Sequence, residues 1–185
     1  MVERPLRADA RRNRERLIET ALEEFTRERS GGEVTMEAIA KKAGVGIGTL
    51  YRHFPTREVL IDVVYHTELG KLCDAASQLL VEYAPEKATR EWMDLFVEYM
   101  ATKQGMADAL KAVIASGADP FSGSRDRLVG AVTTLLDAAE LSGVEPLDVL
   151  TTVGGVALAA NDQEQAGRML DLVMDGLRHR GSGQG

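Results

Sequence analysis

Three glycines that alternate with apolar residues form the first stretch whose composition could do chemistry. Residues 44–48 read GVGIG, and glycine-rich loops of this kind can cradle a nucleotide phosphate. A dinucleotide-binding loop, however, follows a strand and has a third glycine at the position that Thr49 occupies here. The preceding residues 35–43, TMEAIAKKA, have helical periodicity, and the Gly-Lys-Ser/Thr sequence of a P-loop is absent. The pattern therefore favours a tight turn between two short helices.

A helix–turn–helix gives each of the three glycines a task. Gly44 supplies the turn, where glycine adopts a positive φ without a clash. Gly46 serves as the N-cap of the second helix and leaves that helix's first N–H groups open to a phosphate. Gly48 has no side chain that projects from the outer surface of the helix, so that a groove can approach the backbone. Since each glycine weakens a helix by up to ~1 kcal/mol relative to alanine, two of them indicate that close approach matters here.

The second motif helix, about residues 46–53, is predicted to bury Leu50 and the following Phe54. Its other positions offer a hydroxyl, a phenol, an imidazole and a guanidinium, which suit contacts with phosphates and base edges. These positions are Ile47, Gly48, Thr49, Tyr51, Arg52 and His53. The spacing is equally compatible with Tyr51 packing at the edge of the core and with His53 as an ordinary surface histidine.

Residues 35–60, TMEAIAKKAGVGIGTLYRHFPTREVL, resemble the helix–turn–helix signature of the TetR/AcrR family of transcriptional regulators. The resemblance covers about the first third of the chain without a gap. It implies a dimeric, sequence-specific DNA-binding regulator, of the repressor type, that a small-molecule ligand releases from its operator. Phosphate contacts are implied for Thr35, Tyr51, His53 and Arg57, and base contacts for Ile47, Gly48 and Thr49.

Two residues depart from the family's pattern. Gly46 stands where the family often has serine or another capping side chain, so the phosphate contact of that side chain is lost. Arg57 stands where lysine is common, which keeps the positive charge. The apolar Ile47 can read only shape or a thymine methyl in the major groove, and packing beside Tyr51 is equally compatible with its position.

Charge is unevenly distributed over the 185 residues, whose net charge is −7. Residues 1–66 carry twelve basic and eleven acidic side chains, and residues 1–16 carry six arginines against three acids. This basic N-terminal arm could attract a polyanion locally, with Arg11 and Arg12 (and Arg7) reaching a phosphate or the minor groove. A merely solvated, disordered terminus explains the same charges.

The periodicity predicts an all-α fold of about nine helices, with a three-helix DNA-binding unit followed by a larger helical body. We expect domains at 1–56 and 57–180 and a disordered tail at 181–185. The predicted helices span about residues 8–29, 35–43, 46–53, 57–83, 86–103, 106–115, 125–141, 147–160 and 163–179.

Two functions are predicted for the helical body, and plain core packing is an alternative for each. The resemblance implies a homodimer through the last two helices. Its predicted interface comprises Leu150, Gly154, Leu158, Met169, Leu172, Val173 and Leu177. A ligand pocket is implied in the helices before them, where adaptable apolar side chains are plausible walls. Its predicted lining comprises Trp92, Phe96, Met100, Met106, Leu110 and Phe121. A body without an inducer, serving only dimerisation or another protein contact, remains open.

Catalysis, a cofactor and a metal site are not expected. Asp62 and His66 are spaced i, i+4, but such a pair is more often a surface ion pair than a metal site. Cys73 is the only cysteine, which excludes an internal disulfide and a multi-cysteine zinc site. No apolar run reaches the roughly 18 residues of a membrane span, and the N-terminus lacks the apolar segment of a signal peptide. We therefore expect a cytoplasmic protein.

Overall fold

The computed structural model describes the backbone of residues 3–27 and 34–181, and the side chains of residues 8–27 and 34–179. This part of the chain contains nine α-helices and no strand, which confirms the predicted all-α fold. The helices are α1 (Glu3–Arg27), α2 (Met36–Lys42), α3 (Ile47–His53), α4 (Arg57–Glu82), α5 (Pro85–Gly105), α6 (Ala107–Ala115), α7 (Ser124–Ala138), α8 (Pro146–Ala159) and α9 (Gln163–Gly181).

The chain divides into two compact units. Unit 1 comprises Met1–Thr67 and Thr102–Pro120, and unit 2 comprises Glu68–Ala101 and Phe121–Gly185. The division falls within α4 and within α5, so the first part of α4 clusters with the helices that precede it. The domain boundary expected after residue 56 stays a prediction.

Unit 1 is built around the inward faces of α1, α2 and α3, which contact one another. The apolar positions of these helices recur every three or four residues, so each helix buries one stripe. Side chains with at most 1% of their surface exposed include Leu17 and Phe25 of α1, Ile39 of α2, Leu50 of α3, and the adjoining Phe54. This shared core fixes α1, α2 and α3 relative to one another.

In unit 2, α7 packs against α8 and α8 packs against α9. Trp92 of α5 is 1% exposed, and its indole Nε1 donates a hydrogen bond to the carbonyl of Leu72 at 2.8 Å. The guanidinium of Arg90 links α5 to α9, since it bonds the carboxylate of Asp171 at 2.8 Å and the carbonyl of Gly167 at 3.1 Å. The indole bond thus joins α5 to α4, and the Arg90 contacts join α5 to α9.

Two helix boundaries differ from the predicted ones for identifiable reasons. Helix α7 stops at Ala138 instead of Leu141, because Glu140 adopts the left-handed conformation with φ of 54°. A non-glycine residue in that conformation leaves no sequence signal. Helix α5 ends at Gly105 instead of Lys103, so this glycine lies directly before the break between α5 and α6, where a separation was expected. A Cβ at that position would lie 3.3 Å from Thr26, so this glycine permits close packing against α1.

The N-terminal arm is also different, because α1 already includes residues 3–7. Charged pairs at i, i+3 and i, i+4 support α1 between residues 9 and 15. Arg11 bonds Glu15 at 3.0 Å, and Arg12 bonds Asp9. The predicted helix end near Arg29, with its stop at Gly31 and Gly32, lies outside the described residues.

At the C-terminus, Gly181 closes α9 where the start of a disordered tail was expected, and residues 182–185 lie outside the described part. Among the described helices, none combines the length and the apolar character that crossing a membrane requires.

Candidate nucleic-acid interface

The turn between α2 and α3 is closed by the backbone hydrogen bonds of a helix C-cap. Gly44 has a φ of 64°, as predicted for the turn. Its N–H donates to the carbonyl of Lys41 at 3.2 Å, and the N–H of Val45 donates to the carbonyl of Ala40 at 2.9 Å. These two bonds form a Schellman motif, and the burial of Val45 completes it with an apolar contact. The turn therefore has one preferred geometry.

Both motif helices begin at the residues predicted to cap them. Thr35 is the N-cap of α2, and its hydroxyl accepts a hydrogen bond from the N–H of Ala38 at 3.2 Å. Gly46 is the N-cap of α3 and provides no side-chain cap. The amides of Thr49 and Leu50 instead donate to the carbonyl of Gly46, at 2.9 and 3.1 Å. The first turn of α3 thus carries a helix N-terminus without a side chain over it.

The outer surface of α3 exposes the side chains that were predicted to contact DNA. Ile47 is 40% exposed and Tyr51 is 43% exposed, although both carry large apolar parts. Gly48 and Arg52 are also exposed, whereas Thr49 and His53 are half-buried. Because Leu50 and Phe54 are fully buried, α3 is anchored from below and presents a mixed apolar and polar face.

Neither Gly46 nor Gly48 is required by packing within the chain. Among the described residues, a Cβ at Gly48 would meet no atom within 4 Å, and one at Gly46 would meet only the Thr49 hydroxyl, at 4.0 Å. The φ of Gly46 is −62°, which any residue adopts. Gly48 therefore weakens a short helix without an internal benefit, in contrast to Gly44, whose conformation needs glycine. Gly46 is the N-cap and lies outside the helix interior, where glycine is tolerated.

Arg57, a predicted phosphate contact, is turned toward the protein. Its Nε donates to the carbonyl of Val34 at 3.2 Å, and its guanidinium lies 5.3 Å from the centre of the Phe25 ring. The side chain is half-buried. Sequence reasoning did not find these contacts, because they join residues 23 and 32 positions apart. The phosphate contact stays a prediction.

Thr56 caps α4 as predicted, since its hydroxyl accepts from the N–H of Val59 at 3.3 Å. Glu58 lies in the first turn, where its own backbone amide and the Thr56 hydroxyl lower the pKa of its carboxyl. A negative charge at this point favours the helix dipole. The start of α4, which residues 54–56 separate from α3, is thus well defined.

Lys42, at the end of α2, forms ion pairs that the sequence analysis missed. Its ammonium lies 2.8 Å from a carboxylate oxygen of Glu23 and 2.8 Å from one of Glu24, both on α1. The hydrogen bond with Lys42 lowers the pKa of Glu23, and the bond with Glu23 raises the pKa of Lys42. Adjacent glutamates on α1 and a lysine on the next helix were the available signal. This lysine is engaged with α1, which distinguishes it from Arg52.

The predicted interface on α8 and α9 separates into buried and exposed residues. Leu150 and Leu177 are buried inside unit 2, whereas Leu158 and Leu172 are 65% and 72% exposed. Gly154, Met169 and Val173 are half-buried. An open groove of about 640 Å³ runs between the two helices and is bordered by residues that include Asp148, Thr152, Leu172, Val173 and Gly176. Part of the predicted stripe is therefore core of the single chain, and part faces outward.

The predicted pocket residues are divided between the two units. Trp92 and Phe96 of unit 2 are buried with ring centres 5.6 Å apart, and Met100 and Phe121 are half-buried. Met106 and Leu110 belong to unit 1, where both are buried. The described open clefts are lined by other residues, so the pocket stays a prediction.

The candidates for metal chemistry lie on α4. Asp62 Oδ1 and His66 Nε2 are 3.6 Å apart, in the geometry of an i, i+4 ion pair. Within residues 8–27 and 34–179, no group of three or more histidine, cysteine or acidic side chains could hold a metal ion. The thiol of Cys73 is half-buried, and burial raises its pKa. A raised pKa disfavours the reactive thiolate.

Two family models match the chain and together cover most of its length. Residues 17–64 match the family described as bacterial regulatory proteins of the tetR family, and residues 84–179 match the C-terminal domain of SbtR-like transcriptional regulators. The first match contains α2, the turn and α3. The second contains α5–α8 and nearly all of α9.

Solved structures agree with these matches. A TetR transcriptional regulator of Streptomyces coelicolor is 44% identical, with a TM-score of 0.79, over 89% of this chain and 97% of its own. A TetR regulator of Mycobacterium vanbaalenii is 31% identical, with a TM-score of 0.76, over 93% and 98% of the two chains.

A curated relative, an HTH-type transcriptional regulator of Staphylococcus aureus strain USA300, is 34% identical over 96 residues. The match spans 51% of this chain and about half, 49%, of that relative. With a family model on more than half of its residues and a 44% identical structure over nearly its whole length, the chain belongs to the TetR family of transcriptional regulators and carries its DNA-binding helix–turn–helix.

Proposed function

We propose that this protein is a dimeric repressor that binds an operator through α3 and leaves it when a small molecule binds the helical body. The observation that carries the proposal is the exposed face of α3, whose position is fixed by the capped turn at Gly44. Ile47 and Tyr51 are about two-fifths exposed, although burying their apolar atoms would stabilise the free protein. An exposed apolar and aromatic surface near the N-terminus of a helix is suited to contact the major groove of DNA.

In this proposal some contacts bind phosphates and position α3 on the DNA, and others contact the bases and read the sequence. Thr35, Tyr51, Arg52 and His53 bond phosphates and set the register of α3 in the major groove. Thr49 reaches a base edge with its hydroxyl, and Ile47 and Gly48 lie against the bases. Gly46 and Gly48 bring the backbone of α3 close to the DNA, because neither position has a Cβ to hold it away. The first turn of α3 then offers its N–H groups to a phosphate.

The helices α8 and α9 form the dimer interface in this proposal. Outward positions of α8 are Thr151, Gly154, Gly155 and Leu158, which follow the i, i+3, i+4, i+7 spacing of one helical stripe. Those of α9 are Met169, Leu172, Val173 and Gly176, with the same spacing. Small residues on one helix and bulky ones on the other allow two copies to interlock across a two-fold axis.

Dimerisation matters for affinity because one helix–turn–helix makes few contacts. Two recognition helices about 34–36 Å apart reach two half-sites one helical turn from each other. An effector that prefers a state with a different spacing lowers operator affinity by its differential affinity for the two states. In this proposal Trp92, Phe96 and Met100 of α5 contribute to the effector's apolar surroundings.

A titration of labelled duplex DNA from the region upstream of the protein's own gene tests the proposal. Binding of wild-type protein should weaken steeply between about 50 and 200 mM salt, as phosphate contacts require. The Tyr51→Ala variant should bind at least about tenfold more weakly, since it loses both an aromatic contact and a hydroxyl. Absence of specific binding by the wild type, or equal binding by the variant, would contradict the proposal.

A further inference from the structure

Arg57 lies where three elements of unit 1 meet. It is the first residue of α4, and its Nε donates to the main-chain carbonyl of Val34 at 3.2 Å. Its guanidinium carbon lies 5.3 Å from the centre of the Phe25 ring on α1, a ring that is 1% exposed. The half-buried arginine therefore connects α1, α4 and the segment that precedes α2.

The hydrogen bond to Val34 acts at the start of α2. Val34 immediately precedes Thr35, the N-cap whose hydroxyl accepts from the N–H of Ala38 at 3.2 Å. A donor that holds the carbonyl of residue 34 fixes the direction in which the chain begins α2. The Gly44 turn then transmits the position of α2 to α3, because its two backbone bonds define one geometry.

The chemistry of this contact depends on a guanidinium. A planar guanidinium can lie with one face on an aromatic ring while it donates hydrogen bonds within its own plane. A lysine ammonium is a compact point charge that cannot make both contacts in this geometry. Arg52 differs in its surroundings, because it lies exposed on the outer face of α3.

We propose that Arg57 is a positioning residue for DNA binding. It holds Thr35 and the start of α2 against α1 and α4, and through them it sets the position of α3. This role rests on the DNA binding proposed above, but it differs from a phosphate contact in which the charge of residue 57 would act directly on the DNA.

The test compares matched substitutions at two arginines of the full-length protein. Arg57→Met and Arg57→Lys are set beside Arg52→Met and Arg52→Lys, and each is titrated with the same duplex over a range of salt concentrations. Methionine keeps an apolar stem without charge, and lysine keeps the charge without the planar group. Circular dichroism confirms at the titration temperature that every variant is fully folded, so that a purely structural role would leave the dissociation constant unchanged.

A positioning role has a distinct signature in these data. Arg57→Met should weaken binding by about tenfold, as expected for loss of a hydrogen bond from a charged donor, with the salt dependence unchanged. Arg57→Lys should remain weakened to a similar extent, because charge alone does not restore the contact. Arg52→Met should instead lower the slope of log affinity against log salt by about 0.9, and Arg52→Lys should restore it.

Other results would overturn the positioning role. A slope lowered by about 0.9 in Arg57→Met and restored in Arg57→Lys would make residue 57 a phosphate contact. Wild-type affinity in folded Arg57→Met would make its contacts with Val34 and Phe25 structural only. Failure of the wild-type protein to bind any specific duplex would contradict the proposed function itself, which is a separate outcome.

Discussion

The helix–turn–helix and the α8–α9 pair are both made of helices with a regular apolar stripe, but the two regions use their glycines differently. Gly44 has a φ of 64° that the turn requires, and the bonds around it are local. Gly154 and Gly155 lie within α8 in helical conformation. A Cβ at Gly155 would meet no atom within 4 Å in the described part of the chain, so packing there does not require this glycine.

The comparison shows what a stripe and a local motif each predict. An apolar stripe on a helix predicts that the stripe is buried, but it does not tell whether the chain's own core or another protein covers it. On α8 and α9 the chain's own core takes Leu150 and Leu177, and it leaves Leu158 and Leu172 exposed. A capped turn specifies the backbone itself, so its geometry follows from a few neighbouring residues.

The largest effect is expected from a substitution that disrupts the proposed dimer interface on α8 and α9. Leu172→Asp should make the protein monomeric, because a carboxylate at the centre of the interface cannot be buried without a partner. DNA affinity should fall by about 100-fold or more as the second half-site is lost. Light scattering with size-exclusion chromatography measures the mass. Val81→Asp changes a residue that is 88% exposed on α4 and should leave the dimer intact; a dimeric Leu172→Asp protein would exclude this interface.

The next effect sharpens the claim that the Gly44 turn is fixed by its backbone. Gly44→Ala should lower the free energy of unfolding by about 1–2 kcal/mol, since a Cβ disfavours the left-handed conformation although space for it is open. Gly44→Asn should recover part of this loss, because asparagine tolerates that conformation. Thermal denaturation of both variants tests the difference. Equal stability of alanine and glycine here would contradict the stated role of the turn.

These local rules also mark how far the sequence predicts this fold. The caps Thr35, Gly46 and Thr56 were predictable, since each precedes a helix in a familiar pattern. The end of α7 was not, because Glu140 is a non-glycine residue in the left-handed conformation. Gly105 was predictable as a helix break, since α5 ends there, whereas its close approach to Thr26 was not.

The candidate site likewise has one part that the sequence predicts and one part that depends on tertiary packing. The exposed face of α3 follows from a helical wheel, because Leu50 and Phe54 define its buried side. The contacts of Arg57 with Val34 and Phe25 depend on tertiary packing between residues distant in sequence. The sequence therefore shows the positive charge of residue 57, but it does not show that the side chain contacts Val34 and Phe25.

A smaller effect separates helix stability from DNA affinity at Gly48. Gly48→Ala should raise the stability of unit 1 by up to ~1 kcal/mol, since alanine favours a helix and the added Cβ meets no described atom within 4 Å. The same change should weaken DNA binding if the backbone of α3 approaches the bases. Melting temperature and affinity are measured on one preparation, with Gly130→Ala at an exposed position of α7 as the control that gains stability only. A Gly48→Ala protein that binds as tightly as the wild type would remove the proposed role of Gly48.

The smallest effect concerns the apolar side chain at the centre of the α3 surface. If Ile47 contacts a thymine methyl, replacing that thymine by deoxyuridine should weaken binding about three- to fivefold, the equivalent of one buried methyl group. Ile47→Ala should bind both duplexes equally. The comparison is made by scanning each thymine of a bound site in turn. If no thymine shows this difference, Ile47 packs beside Tyr51 and reads no methyl group.

Selection of duplexes from a random pool tests the central claim most directly. Wild-type protein should enrich an inverted repeat whose half-site centres lie about 10 base pairs, or a multiple of that, apart. The Tyr51→Ala and Leu172→Asp variants should fail to enrich it, the first through loss of contacts on α3 and the second through loss of the dimer. An enriched sequence without two-fold symmetry, or one that both variants retain as well as the wild type, would contradict a dimer that reads DNA through α3.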